Sequence, residues 1–348
     1  MDLRPATAAL ASALLFGVTT PIAKHLVSSE SPWLTAGLLY LGSGIGLTLW
    51  RLIKDGHWAS SGLTRREWPW LASAIVSGGI VAPALLMLGL ARIEAAEASL
   101  LLNLEAVFGA ALAWIVFREA TSRRIVLGFV AICIASVLLA WPAARLGGAG
   151  VTGPLLVAAA CLCWGVDNNL TRKISAADAR VVAGVKGLAA GITNTALALS
   201  MGAVWPPPSA LAGTLLLGFA GYGVSLVLFI VSLRRLGTAR TGAYFATAPF
   251  IGTALSIALY GEPFGALFYV AAGLMAAGVW LHVTEQHEHT HVHEPLVHTH
   301  SHRHDLHHQH EHDGPYDGAE PHTHEHAHGF LRHSHAHFPD IHHGHRHE

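Results

Sequence analysis

The fold class the sequence predicts is an all-α integral membrane protein: ten transmembrane helices in a 5+5 inverted repeat, followed by a disordered cytoplasmic tail. Three observations lead there. The chain of 348 residues is 52% hydrophobic and 12% charged, whereas a soluble domain carries about 25% charged residues. Apolar runs of about 17 to 23 residues, the length that crosses a hydrocarbon core as a helix, recur between short polar breaks. The formal charge of −1 is a cancellation between two different polymers. Residues 1–283 hold 18 Lys/Arg against 11 Asp/Glu and only His25, His57 and His282, while residues 284–348 hold 3 against 11 and the other 23 histidines.

The runs lie near 6–26, 33–50, 70–90, 95–117, 124–141, 152–171, 181–201, 211–233, 241–260 and 264–283. Each must satisfy its own backbone polar groups, so each is expected to be a helix. Orientation follows from Lys and Arg, which mark cytoplasmic loops. The breaks after the second, fourth, sixth and eighth runs contain 13 of them, and those after the first, third, fifth, seventh and ninth contain only Arg92 and Arg145. This alternation places both termini in the cytoplasm, and the protein in a cell (inner) membrane. Cys133, Cys161 and Cys163 fall inside runs and read as packing residues.

The two halves resemble each other. Phe16-Gly17-Val18 matches Trp164-Gly165-Val166, Gly42-x-x-x-Gly46 matches Gly187-x-x-x-Gly191, Arg92 matches Arg235 and Glu119 matches Glu262. The domains expected are therefore a first repeat over 1–141, a second over 152–283, and the tail over 284–348. Five runs per repeat is an odd number, so the second repeat enters from the opposite side. That inverted symmetry is typical of secondary transporters, with a central site at the repeat interface. The glycine pairs read as close helix packing, with a homodimer as the alternative.

Phe16-Gly17-x-x-x-Pro21-x-x-Lys24, the aliphatic run ending at Glu119, Pro249, and Tyr260-Gly261-Glu262-Pro263 with a glycine-containing last run resemble the drug/metabolite transporter superfamily, in particular its EamA family. The resemblance covers about residues 6–283. It implies a transporter of small metabolites and leaves the substrate open. Asn169 stands where Pro21 would have its repeat mate, and Ala106 where Pro249 would.

Charges inside a bilayer are costly and tend to face the bundle interior. Glu105 lies mid-run and its repeat mate is Ala248, so its charge is not part of the symmetric scaffold. Glu94, Glu97 and Glu105 share one helical face running from the outer mouth to the midplane; with Asn103 they form an expected transport and proton-coupling path. Low dielectric disfavours a charged carboxylate, which suits proton exchange. Asp167, Asn168 and Asn169, with Lys186 and Asn194 of the next run, are the expected substrate-binding groups. Lys24 and His25 read as interfacial anchors, and Tyr40, Tyr222, Tyr244 and the ten tryptophans as interface and packing residues.

The tail repeats at an offset of 35 residues. His287, His289, His291, His293, His298, His300, His302, His307, His308, His310 and His312 map onto His322, His324, His326, His328, His333, His335, His337, His342, His343, His345 and His347, leaving His304 unmatched. Two tandem modules, 287–312 and 322–347, follow. Histidine-rich tracts bind metal, and nitrogen donors favour Zn, Ni, Co or Cu(II). Binding needs neutral imidazole, so it should weaken below about pH 6. His287-Glu288-x-x-His291 and its copy at His324-Glu325 match a protease pattern by composition alone, outside any apolar helix.

The first expectation is a secondary transporter exporting a small metabolite, coupled to protons through Glu105 and needing no cofactor for transport, with a metal-binding tail. The alternatives are a Zn/Ni/Co exporter whose tail loads the cargo, and a membrane-anchored metal sensor or store. An enzyme is disfavoured, since no run holds paired midplane carboxylates or a nucleophile beside a base. The partners expected are membrane lipid and a small-molecule or ion substrate, with no nucleic acid.

Overall fold

The computed structural model describes residues 4–29, 31–55, 63–117, 123–145, 150–174, 177–261, 264–284, 287–293, 296–302, 322–328 and 331–337. Each expected apolar run is helical. In order they are α1 (Arg4–Ser29), α2 (Pro32–Asp55), α3 (Trp68–Ala74) joined to α4 (Ala82–Leu90), α5 (Ala95–Leu101) followed by α6 (Leu104–Phe117), and α7 (Arg123–Arg145). The second half comprises α8 (Thr152–Arg172), α9 (Ala179–Ser200), α10 (Pro208–Gly218) joined to α11 (Ser225–Phe245), α12 (Ala248–Tyr260) and α13 (Ala266–Val283). Seven helical stretches among the described residues are long and apolar enough to cross a membrane, and α12 and α13 are apolar but shorter. The protein is thus a multi-pass membrane protein with an all-helical body. Two ends are fixed by simple devices. Asp178 accepts from the backbone N–H of Arg180 at 2.8 Å as the N-cap of α9, and Gly261 ends α12 in the left-handed region at φ 59°, a conformation that suits glycine. Burial alone pushes the Asp178 carboxyl up, but Arg180 outweighs it and holds it below the usual carboxylate range. The cap is therefore intact near neutrality and lost only as pH falls through that lowered value.

Three local departures from regular helix matter. A π-helix, Ile75–Val81, joins α3 to α4, and another, Phe219–Val224, joins α10 to α11. The fourth run is interrupted at Leu102 and Asn103 although no proline is near, and the Asn103 amide donates to the Leu100 carbonyl at 3.0 Å across the break. Between the eighth and ninth runs the expected loop at 234–240 is instead helical. The Leu, Arg and Ala there sustain a helix, and the turn comes later, at Ala246 and Thr247, just before Pro249 at the start of α12.

Elements of one half pack on elements of the other: α1 on α11 and α12, α8 on α4 and α6, α2 on α9, and α7 on α13. The α2/α9 contact brings two backbones close together. A Cβ on Gly187 would meet the Gly44 nitrogen at 2.6 Å and the Tyr40 carbonyl oxygen at 3.0 Å. Gly42 and Gly46 instead face Leu215 and Phe219, so both glycine pairs are occupied inside the chain. Substituting Gly187→Val should force α2 and α9 apart and destabilise the fold by about 1–3 kcal/mol. A thermal shift in detergent checks this, and Gly273→Ala, with nothing near its added carbon, serves as the control.

Four described segments of the tail differ from the expectation of disorder. Strands β1 (His287–His293), β2 (Leu296–His302), β3 (His322–His328) and β4 (Leu331–His337) form two antiparallel pairs, β1 with β4 and β2 with β3. The strict His-x-His alternation is the period of a strand, and two such segments can satisfy each other's backbone without an apolar core.

Candidate functional site

Where the two halves meet, a cavity of about 80 Å³ opens among α1, α2, α6, α8, α9, α11 and the second π-helix. Its polar wall is built from Glu105, Asp167, Asn168 and Lys186, and its apolar wall includes Phe16, Tyr40, Trp164, Tyr222 and Phe245.

The turn at Leu102 and Asn103 restarts the helix at Leu104, placing Glu105 in the first turn of α6. There its carboxylate accepts from the Asn168 amide at 2.7 Å. On α8, Asp167 is 3% exposed, accepts from the Thr171 hydroxyl at 3.0 Å, and pairs with the Lys186 ammonium of α9. Asn169 points to the other side of α8 and bridges the carbonyls of Gly109 at 3.0 Å and Gly165 at 2.8 Å, bracing α8 against α6. Gly165 permits that approach, since a Cβ there would stand 2.9 Å from the Gly109 nitrogen.

The first π-helix anchors side chains of the site from behind. Its widened turn redirects carbonyls out of the helical ladder, and side chains from three helices take them up. The Gly78 carbonyl accepts from the Tyr40 hydroxyl at 2.8 Å and from the Trp164 indole N–H at 3.0 Å. The Asn194 amide donates to Ile80 at 3.2 Å and lies 3.4 Å from the Gly79 carbonyl. Gly78 is required by contact, because a Cβ would collide with the Asp167 carboxylate. Replacing both Tyr40 and Trp164 by Phe leaves this buried carbonyl unsatisfied. The expected cost is about 1–3 kcal/mol, measurable as lost thermal stability, with each single substitution costing less than the pair.

The aromatic wall is a continuous chain of rings. Phe16 makes edge contacts with Trp164 at 6.2 Å and Tyr222 at 5.8 Å between centroids, Tyr40 and Tyr222 lie 5.1 Å apart, and Phe16 and Phe245 lie 5.4 Å apart. Such rings offer negative faces to a cation and flat faces to an apolar body.

Of the residues expected for function, the structure brings Glu105, Asp167, Asn168 and Lys186 together at the cavity. Asn169, Asn194 and Asn103 brace backbone instead. The expected acidic face is corrected: Glu94 is the extended residue before α5, Glu97 is in its first turn, and Glu105 belongs to a separate helix beyond the turn. Neither Glu94 nor Glu97 lines the cavity. Lys24 is not a surface anchor, since its ammonium caps the end of α4 through the carbonyls of Leu90 and Ile93, each at 2.7 Å. Tyr40, Tyr222 and Trp164, expected at interfaces or in packing, line the cavity. Their signal was position, because Tyr40 and Tyr222 lie near the middle of their runs rather than at the ends. Among the described residues of the helical body no cluster of His, Cys, Asp and Glu is arranged to hold a metal ion. Glu119, Glu262 and Arg118, and the links around the tail strands, lie outside the described residues.

The EamA-like transporter family model matches the chain twice, over residues 3–141 and 151–284. The chain belongs to the EamA-like transporter family. A curated relative, an uncharacterized transporter of Methanothermobacter thermautotrophicus, is 26% identical over 288 residues, 78% of this chain and 84% of its own length. A solved crystal structure of a protein, 21% identical, superposes with a TM-score of 0.61 over 80% of this chain and 96% of its own. That likeness bears on the fold. Membership of this family makes the protein a membrane transporter of small substrates, and the cavity is its candidate substrate site.

Proposed function

We propose that this family member is an inner-membrane secondary transporter that exports a small polar metabolite by alternating access, exchanging it for protons at Glu105. The observation that carries the reading is the convergence of Glu105, Asn168 and the Asp167–Lys186 pair on one cavity lined from both halves of the chain. Two tandem matches to one family model, and a π-helix in each half, support a 5+5 inverted repeat with that cavity at its interface. The loop arginines favour cytoplasmic termini.

The charges suggest what the site takes. Asp167 is matched by Lys186, which leaves Glu105 as the surplus carboxylate among rings that favour a cation. A substrate with an ammonium group and an apolar body fits that balance, and a proton on Glu105 would compete with it directly. Proton and solute would then occupy the site in turn, which is the requirement for antiport. The tail binds cytosolic transition metal and acts as a regulator or buffer. The test is solute exchange in proteoliposomes under an imposed pH gradient, with a panel of labelled small amines and amino acids. Exchange driven by the gradient supports the reading, and uptake indifferent to pH overturns the coupling.

A further inference from the structure

The tail carries chemistry that the transport cavity does not use, and its strand register shows how. β1 and β4 pair so that His287 is opposite His337, His289 opposite His335 and His291 opposite His333. β2 and β3 pair so that His298 is opposite His326, His300 opposite His324 and His302 opposite His322. Both ladders follow the same register, from His287 opposite His337 in the first to His302 opposite His322 in the second.

Histidine stays opposite histidine for a reason visible in the sequence. Its positions are odd-numbered in β1 and even-numbered in β2. The phase changes between β1 and β2 in one module and between β3 and β4 in the other, so the two changes match. Each module's strand histidines also read nearly the same forwards and backwards, the exception being Leu296 opposite His293 and Leu331 opposite His328 within their modules. Tandem copies of a near-palindrome match when one folds back antiparallel on the other.

This juxtaposition decides how an ion can gather ligands. Alternate residues of one strand share a face but lie about 6.7 Å apart, so four histidines of β1 spread over about 20 Å. Residues directly opposite have Cβ atoms about 4.5–5.5 Å apart. A block of four such as His289, His291, His333 and His335 therefore shares one face within a patch matched to one tetrahedral ion with nitrogen bonds of about 2.0–2.1 Å.

We propose that the tail is a metal-operated clasp: Zn, Ni, Co or Cu(II) ions are bound across the paired strands, each taking imidazoles from both modules. One group of sites lies on β1 and β4 and a second on β2 and β3. The inference rests on the reading that the tail binds metal, and specifies where and between what. Metal binding then ties residues 287–302 to 322–337, and neither module holds its metal alone.

The experiment is Co(II) titration of the purified full-length protein in detergent, read by visible absorption, with size exclusion confirming monodisperse chains. Four variants replace strand histidines by alanine: β1 (His287→Ala, His289→Ala, His291→Ala, His293→Ala), β4 (His333→Ala, His335→Ala, His337→Ala), β1 with β4, and β1 with β2. The clasp requires that β1, β4 and their combination each remove the same half of the strand-bound, high-affinity Co(II). It also requires that β1 with β2, a loss confined to one module, remove both halves. If β1 with β2 leaves half the metal while β1 with β4 removes more than either alone, the modules bind independently and the clasp is wrong, although the tail still binds metal. If the intact protein binds no more Co(II) than a chain ending at residue 284, the metal-binding reading itself fails.

Discussion

Glu105→Gln is expected to yield a folded protein whose vesicles no longer exchange protons for solute, with transport driven by a pH gradient falling to the level of protein-free liposomes. The substitution keeps the size of the side chain and its ability to accept from Asn168, at 2.7 Å in the native chain. It removes only the group that can change charge. Nothing else at the polar wall can take over. Asp167 is committed to Lys186 and Thr171, and both members of that ion pair are more than nine-tenths buried. The readout is an internal pH dye in proteoliposomes alongside labelled solute. A variant that still moves solute down its own gradient while releasing no protons would locate the defect in coupling rather than folding. A variant with native proton exchange would remove Glu105 from the mechanism.

The second large effect is on the Asp167–Lys186 pair. Breaking a buried pair by removing one partner leaves an uncompensated charge and typically costs about 3–5 kcal/mol. Lys186→Met and Asp167→Asn should each therefore lower stability sharply, the first leaving a carboxylate and the second an ammonium. The double variant restores neutrality and so removes the uncompensated buried charge that each single variant leaves. Its stability should return close to the native value while transport stays lost, because the pair forms part of the cavity wall. Thermal denaturation monitored by tryptophan fluorescence measures the first quantity and proteoliposome exchange the second. Full activity in the stable double variant would assign the pair to architecture alone.

Much of the helical body was legible because long apolar runs have few alternatives in a membrane chain. Glu105, Asp167, Asn168 and Lys186 stood out for the same reason, since a polar group inside such a run requires a partner or a task. The remainder depended on tertiary contacts. The turn at Leu102 and Asn103 carries no proline signal, yet it moves Glu105 out of phase with Glu94 and Glu97. The run from Leu233 to Arg240 is polar enough to read as a loop, but it contains no proline and its single Gly237 does not end the helix, so α11 continues through it. Tyr40 and Trp164 were legible as amphipathic residues, and whether their polar ends meet lipid headgroups or a redirected carbonyl is decided by the π-helix at Gly78. In the tail, the repeat was plain in the numbering of the histidines, whereas the antiparallel pairing of its copies required the strand register.

A membrane transporter with an ammonium-selecting, proton-exchanging cavity and a separate metal-binding tail makes a different forecast from one whose cargo is the metal. Everted membrane vesicles containing the full chain, offered labelled small amines, amino acids and Zn, Ni and Co in parallel with and without a pH gradient, distinguish the two. The account predicts that an organic ammonium compound accumulates when the vesicle interior is acidic, that Glu105→Gln abolishes this, and that the metals are not accumulated. Accumulation of a transition metal with no organic solute moving, lost when the chain ends at residue 284, would contradict it.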